Sequence, residues 1–157
     1  VWKLRQDPRV ISMEQYNFRY AQAQDFKEGL PTFASIDVSF ISLELILPAL
    51  ASLLTEGNRV IALVKPQFEA GRSQIGKHGI VKEKSVHIAV LEKVTDFALD
   101  FGFTCQGLDF SPIQGGHGNI EFLLYLKRSD QAQNLIRSAI IPTVEKAHEE
   151  FNKNEKA

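Results

Sequence analysis

The chain has 157 residues, 44% of them hydrophobic and 24% charged, with a formal net charge of −1; this describes one ordinary soluble domain, able to bury a core without disulfides or a structural metal. A single cysteine, Cys105, excludes an internal disulfide and a paired-cysteine zinc site, and suits a reducing cytoplasm. The near-neutral balance excludes a globally basic polymer binder while leaving room for a local basic patch.

Short apolar runs rich in β-branched and aromatic residues alternate with longer helical patterns, which predicts an α/β sheet with crossover helices. Val1 to Gln6 reads as the tail of a helix stopped near Asp7 and Pro8, so the sequence opens in mid-pattern, as a fragment would. Arg9 to Met13 reads as a strand, and Phe33 to Asp37 as another. Ser39 or Ser42 can cap the helix that follows to about Leu54, where Gly57 and Asn58 signal a stop; Pro48 falls in its early turns or kinks it. Val60 to Val64 is a continuous apolar run, as expected of a central strand covered on both faces.

From Pro66 to about Lys82 there is no clear periodicity, and a loop of that length in a small domain is usually functional or mobile. Val86, Val90, Val94, Phe97 and Phe101 then form the apolar stripe of a helix ending near Gly102. Phe103 to Phe110 and Asn119 to Leu126 read as two strands joined by SPIQGGHG, a connection short enough to make them antiparallel neighbours. From about Ser129 a last helix places Leu135, Ile136, Ile140, Val144, Ala147 and Phe151 on one face, with a kink expected at Pro142 and fraying over NKNEKA. No stretch has the pattern of a signal peptide. Ile36 to Leu54, long enough to cross a membrane, carries Asp37, Glu44 and Pro48 and reads better as a strand running into a core helix.

Ligands of open α/β sheets bind beyond the carboxyl ends of the strands. Asp37 closes the strand FASI, Lys65 closes VIALV, and Glu121 opens the antiparallel strand NIEFLLYL at the same edge. Taken singly, Asp37 reads as a helix cap, Lys65 as an exposed strand-end lysine and Glu121 as an outward residue of an alternating strand. Their coincidence at one edge favours a site, where a lysine near carboxylates can serve proton removal from a hydroxyl. Between Arg59 and Lys84 there are six basic residues (Arg59, Lys65, Arg72, Lys77, Lys82, Lys84) against two acidic, whereas the rest of the chain has 12 basic against 17 acidic. A positive segment at the ligand edge suggests a polyanion such as RNA, although charge alone is equally consistent with a solvated loop. His78, His87, His117 and His148 show no ligand spacing, so no metal site is expected. Gly115, Gly116 and Gly118 lead into a strand rather than a helix, which speaks against a phosphate-cradling loop. Trp2, Tyr16 and Phe18 read as packing residues, while the turn at Glu14 to Asn17 is placed to touch a nucleoside.

Four segments, IDVSFISL (36–43), LVKPQFEAGR (63–72), KHGIVKEKSVH (77–87) and SPIQGGHGNIEFLLYL (111–126), together resemble the TlyA-type proteins, which were named as hemolysins and belong with the FtsJ-like ribose 2′-O-methyltransferases. The resemblance implies a Rossmann-like α/β fold with helices on both faces of the sheet and an antiparallel last strand, S-adenosylmethionine as cofactor, and ribosomal RNA or a ribosomal subunit as substrate. It implies a Lys-Asp-Lys-Glu catalytic set, of which Asp37, Lys65 and Glu121 match the last three members; the first lysine has no counterpart here. Glu14, Gln15 and Asn17, with Asp37, Val38 and Ser39, are implied for the cofactor, and Lys65, Arg72, Lys77, Lys82 and Lys84 are expected to face RNA. On this reading residues 1–157 are a partial methyltransferase domain truncated at its amino terminus, with residues from about 129 to 157 forming a carboxy-terminal helix. The family's amino-terminal S4-type domain and glycine-rich first βα turn are absent from it, and self-association could fill the gap in the sheet.

Two other classes compete. A membrane-active hemolysin would use the apolar segment Phe40 to Leu54, against which stand its charge, its proline and the lack of a basic amphipathic surface. A non-catalytic RNA-binding module would keep the methyltransferase shape without cofactor affinity. A nicotinamide enzyme is more distant, because its glycine fingerprint is nowhere in the sequence.

Overall fold

The structure, a computed structural model, describes residues 2–154. Helix α1 (Trp2–Gln6) buries no side chain. Trp2 is 69% exposed, so it does not pack as expected, whereas Tyr16 and Phe18 do pack, against Ala21, Ala49 and Leu53. Arg9 to Met13 is not a strand: it pairs with no other strand among the described residues, and Val10, Ile11 and Met13 remain partly or largely exposed. Its β-branched residues favour extended backbone, but a strand needs a ladder partner. Here Asp7 accepts from the Arg9 amide and guanidinium, while Arg5 holds Glu14, and the segment runs as irregular backbone between turns at Pro8–Arg9 and Glu14–Gln15.

The sheet has strand β1 (Phe33–Ile36) at one edge, then β2 (Arg59–Val64), β4 (Phe122–Arg128) and β3 (Phe103–Phe110). β1 and β2 are parallel, with Ile36 opposite Ala62; β4 runs antiparallel to both β2 and β3, with Phe122 opposite Val64 and Phe110. Between β1 and β2, Ser42 caps a 3₁₀ turn over Leu43–Leu45 and the chain continues into α2 (Leu47–Leu53), where Pro48 occupies the first turn, the place a helix tolerates it. After β2 come α3 (Pro66–Glu69), two 3₁₀ turns and then α4 (Lys84–Asp100). α4 is closed by Phe101 and then Gly102, whose φ of +78° suits the left-handed residue that follows a helix.

The final helix, α5 (Ile140–Asn154), starts later than the sequence suggests. Residues from Ser129 onward first run as irregular backbone, bridging through Asn134 to Cys105, and Leu135 is 58% exposed rather than part of an apolar face. Pro142 then lies in the first turn of α5, where no amide is lost.

Alternate residues of the strands have different fates. Ile36, Val60, Ala62, Val64, Phe122, Leu124 and Leu126 are buried in one cluster with residues of α2, α4 and α5. Ile61, Leu63, Leu123 and Tyr125, of opposite parity, are only partly buried and stay outside it. Among the described residues the helices therefore cover one face of the sheet, not both. The uninterrupted apolar run of β2 reports that both of its faces are apolar, which is a different matter from both being covered in this chain.

Candidate active site

Strand parity places three residues together. Asp37 directly follows β1, Lys65 directly follows β2, and Glu121 directly precedes β4. Since Ile36 pairs with Ala62 and Val64 with Phe122, all three continue the uncovered face of the sheet at one end, and Lys65 falls opposite Glu121. Pro66 reinforces this geometry: a residue before proline is held extended, and Lys65 adopts φ −110° and ψ 98° while Pro66 starts α3.

The Lys65 ammonium lies 2.6 Å from Oδ1 of Asp37 and donates to Oγ of Ser39 at 3.2 Å. The lysine side chain is 14% exposed and the aspartate 72%, so a largely desolvated cation is held by a carboxylate that stays open to solvent. Glu121 is 7% exposed and reaches neither Asp37 nor Lys65; its Oε1 accepts from Nε2 of Gln67 at 2.9 Å. Lys65, Gln67 and Glu121 nevertheless line one cleft of about 390 Å³, with Ser39, Phe40, His78 and His117 around them. Phe40, 91% exposed and left-handed at φ +62°, sits at the rim with its ring 4.8 Å from that of Phe68.

A second hollow of about 520 Å³ adjoins Ser39. It has Phe18, Val38, Ile41 and Ile46 on its walls and Gln15, Asn17 and Ser39 among its polar lining. It is a shallow, open surface on which apolar side chains lie beside amide and hydroxyl groups. Four of the residues implied for the cofactor, Gln15, Asn17, Val38 and Ser39, thus share one surface, and Asp37 and Val38 also line the neighbouring hollow under β1. Glu14 is not brought there: it pairs with Arg5. Of the residues expected to face RNA, Lys65 lies in the cleft, Arg72, Lys77 and Lys82 are exposed along the connection after α3, and Lys84 is exposed at the start of α4.

Sequence reasoning missed the residues that hold these groups in place. Glu69, 6% exposed, accepts from the Ser42 hydroxyl at 2.6 Å and the Leu43 amide at 2.8 Å, so the loop after β1 is bound to the helix after β2. Burial pushes its carboxyl above the ordinary range, and the Leu43, Ser42 and Lys93 groups draw it partly back. Gln67 and Glu69 stand inside KPQFEAGR, where only the lysine attracts notice as chemistry; the signal available was a carboxylate on a short helix next to a strand-end lysine.

The family description "FtsJ-like methyltransferase" matches residues 1–128. The chain is 55% identical over 150 residues to a Bacillus subtilis protein with the provisional name rRNA methyltransferase YqxC, covering 94% of this chain and 53% of that protein. It is 36% identical over 132 residues to the Mycobacterium tuberculosis protein named 16S/23S rRNA (cytidine-2′-O)-methyltransferase TlyA, covering 83% of this chain and 49% of that one. A solved structure from Streptococcus thermophilus, described provisionally as a hemolysin, superposes with a TM-score of 0.97 at 68% identity, over 100% of this chain and 57% of that chain. The chain spans about half the length of the curated relatives it matches. Phe40 to Leu54, the segment on which membrane activity would rest, is a 3₁₀ turn and a seven-residue helix, and among the described residues no helix is long and apolar enough to cross a membrane.

Proposed function

Because the chain belongs to the FtsJ-like methyltransferase family, with its Rossmann-like α/β fold, we propose that it carries the catalytic half of an enzyme that methylates a ribose 2′-hydroxyl of ribosomal RNA. The observation that supports this most is the Lys65 ammonium, nearly out of solvent, tied to Asp37 and facing Glu121 across the sheet register at the mouth of a cleft.

S-adenosylmethionine, when bound beside Val38 and Ser39, supplies the electrophilic methyl group. The chain's own residues then do the positioning. Asp37 and Ser39 fix Nζ of Lys65; the ammonium gives up one proton, for which the solvent-open Asp37 is the outlet, and the neutral amine then accepts the proton of the ribose hydroxyl as that oxygen attacks. Glu121, held by Gln67, keeps a negative charge on the opposite wall. Substrate and cofactor meet where the two hollows share Ser39, and bringing the partners to one point is itself a large part of such catalysis.

The test is methyl transfer from labelled S-adenosylmethionine to ribosomal RNA and to ribosomal subunits, with the full-length protein and its Lys65→Ala variant. Label on a ribose 2′-oxygen that disappears in the variant supports the proposal. Binding of RNA with no cofactor affinity would instead make the protein a recognition module, and lysis of liposomes insensitive to Lys65→Ala would favour the membrane reading.

A further inference from the structure

Two five-residue loops, Gly76-Lys77-His78-Gly79-Ile80 and Gly115-Gly116-His117-Gly118-Asn119, are built alike. In each, the first amide donates to the fifth carbonyl, at 2.9 and 2.8 Å, and the fourth amide donates to the first carbonyl, at 3.2 and 3.1 Å. In each the third residue is a left-handed histidine, with φ 65° and ψ 17° at His78 and φ 59° and ψ 18° at His117, followed by a left-handed glycine. Asn119, 3% exposed, ties the loops together: its side-chain amide donates to the carbonyls of Gly79 and Gly116, both at 3.0 Å, and its oxygen accepts from the Val81 amide. The paired loops bring both imidazoles to the cleft that holds Lys65 and Glu121.

A left-handed backbone is uncommon for a residue with a β-carbon, and glycine would adopt it without strain. Both loops nevertheless place histidine there, exposed, and among the described residues neither ring makes a hydrogen bond or ion pair within the protein. Packing therefore accounts for neither imidazole. An imidazole adds an N–H donor whether neutral or charged. Glu121, bound to Gln67 in the same cleft, keeps anionic groups away from that wall. A ligand with an anion outside and a neutral hydroxyl inside satisfies this arrangement.

We propose that His78 and His117 are positioning residues that grip the phosphodiester next to the ribose whose hydroxyl meets Lys65. This rests on the reading of the site as an RNA ribose methyltransferase and identifies which groups orient its substrate.

The experiment uses the full-length protein with His78→Asn, His117→Asn, the double variant, and the same positions changed to Gly or Arg. Asn and Gly accept left-handed backbone, so the loops survive while the imidazole is lost. The readouts are the affinity for a labelled ribosomal RNA transcript by filter binding, KM and kcat for methyl transfer, and affinity for S-adenosylmethionine. The double Asn and double Gly variants are expected to weaken RNA binding and raise KM about tenfold or more, tenfold being the loss of a single hydrogen bond to a charged group at the low end of its range. Asn is too short to reach the phosphate and Gly has no side chain, whereas the Arg variants, which place a long charged donor at the same positions, recover most of the loss. The kcat of the Asn and Gly variants at saturating RNA and their cofactor affinity stay unchanged. RNA affinity within about twofold of wild type in the double variants would overturn the grip. If the wild type transfers methyl groups and these variants match it, only the grip falls. Binding that depends on the histidines without methyl transfer keeps the grip and removes the catalytic reading, and a wild type that binds no ribosomal RNA overturns both.

Discussion

A β-carbon on Gly115 would fall 2.1 Å from Oε1 of Glu121, so the carboxylate lies in space that only glycine at that position leaves free. The same oxygen accepts from Gln67, and the two neighbours together define where the charge sits in the cleft. Gly115 has an ordinary φ of −72°, so alanine is allowed there by the backbone, and the three atoms nearest the added β-carbon all belong to the Glu121 side chain. Gly115→Ala is expected to lower kcat for methyl transfer about tenfold or more while leaving thermal stability close to wild type. Measuring kcat beside the melting temperature checks it, and an unchanged kcat would show that the position of Glu121 does not matter.

Lys65 and Asp37 make a different prediction because one is covered and the other open. Lys65→Met keeps the stem of a side chain that is 14% exposed and deletes the ammonium. The expected loss in kcat is about 10²- to 10⁴-fold, the range of positioned proton-transfer groups. Asp37→Asn should fold normally, given 72% exposure, and lose less, because Ser39 still holds Nζ. Single-turnover rates at saturating RNA and cofactor separate these effects from binding.

Glu69 ties the two loops that carry Asp37 and Lys65. Glu69→Ala leaves the Leu43 amide, and with it the Ser42 hydroxyl, without an acceptor, which should cost about 1–3 kcal/mol in urea unfolding. Glu69→Gln retains an acceptor oxygen and is expected to recover part of that. Stability of the Ala variant equal to wild type would mean that water replaces the carboxylate freely.

How much of this was legible in the sequence depends on the kind of signal each residue gives. Asp37, Lys65 and Glu121 could be found because strand ends are marked by changes in hydropathy, and a charge at such an end stands out. β2 and β3 were legible for the same reason, as was the end of α4 near Gly102. β4 lies at Phe122–Arg128, later than the expected Asn119 to Leu126, because Asn119 and Glu121 are taken up by contacts at the loop and cleft. The Arg9 to Met13 segment was not, since extended propensity says nothing of whether a partner strand is present. The late start of α5 was hidden because Leu135 and Ile136 continue an apolar spacing through backbone that is irregular. Gln67, Glu69 and Gly115 act through contacts with residues far away in the chain, and no local pattern records such a contact. The paired G-x-H-G loops were visible as letters, but their identical backbones emerge only in three dimensions.

Cys105 is fully buried on β3, and burial, with the Asp96 charge adding to it, pushes its thiol up to about 12. Only the thiolate reacts at a useful rate, so the native protein should resist iodoacetamide at pH 8 for hours and be alkylated promptly once unfolded in urea. Mass spectrometry of the two samples reads this directly. Rapid native labelling would mean that β3 and the segment around Asn134 open together, since Asn134 bridges to Cys105 along the strand edge.

The pairing of α4 and α5 carries a dependence on pH. Nδ1 of His87 and Nε2 of His148 are 2.9 Å apart and both rings are buried, so one nitrogen donates and the other accepts, an arrangement that needs at least one neutral ring. The edge of the Phe122 ring closes on His87, and Glu83 and Lys84 are the charged groups nearby. Burial, with the neighbouring His148, holds His87 down to about 4; burial and Lys84 also lower His148, against the pull of Glu83. In the unfolded chain both rings titrate near 6.5. Protonation therefore favours the unfolded state: the pair's stabilisation is complete above pH 6.5 and drains away as the pH falls toward 4. Most carboxylates remain charged down to about pH 5, which leaves pH 6.5 to 5 as the interval in which the histidines dominate. Across it the unfolding free energy should fall by on the order of 2 kcal/mol, measured by urea titration at fixed ionic strength. The double variant His87→Leu, His148→Leu keeps an apolar contact between the helices and should show a much flatter profile. Equal slopes in the two proteins would place the pH sensitivity elsewhere in the fold.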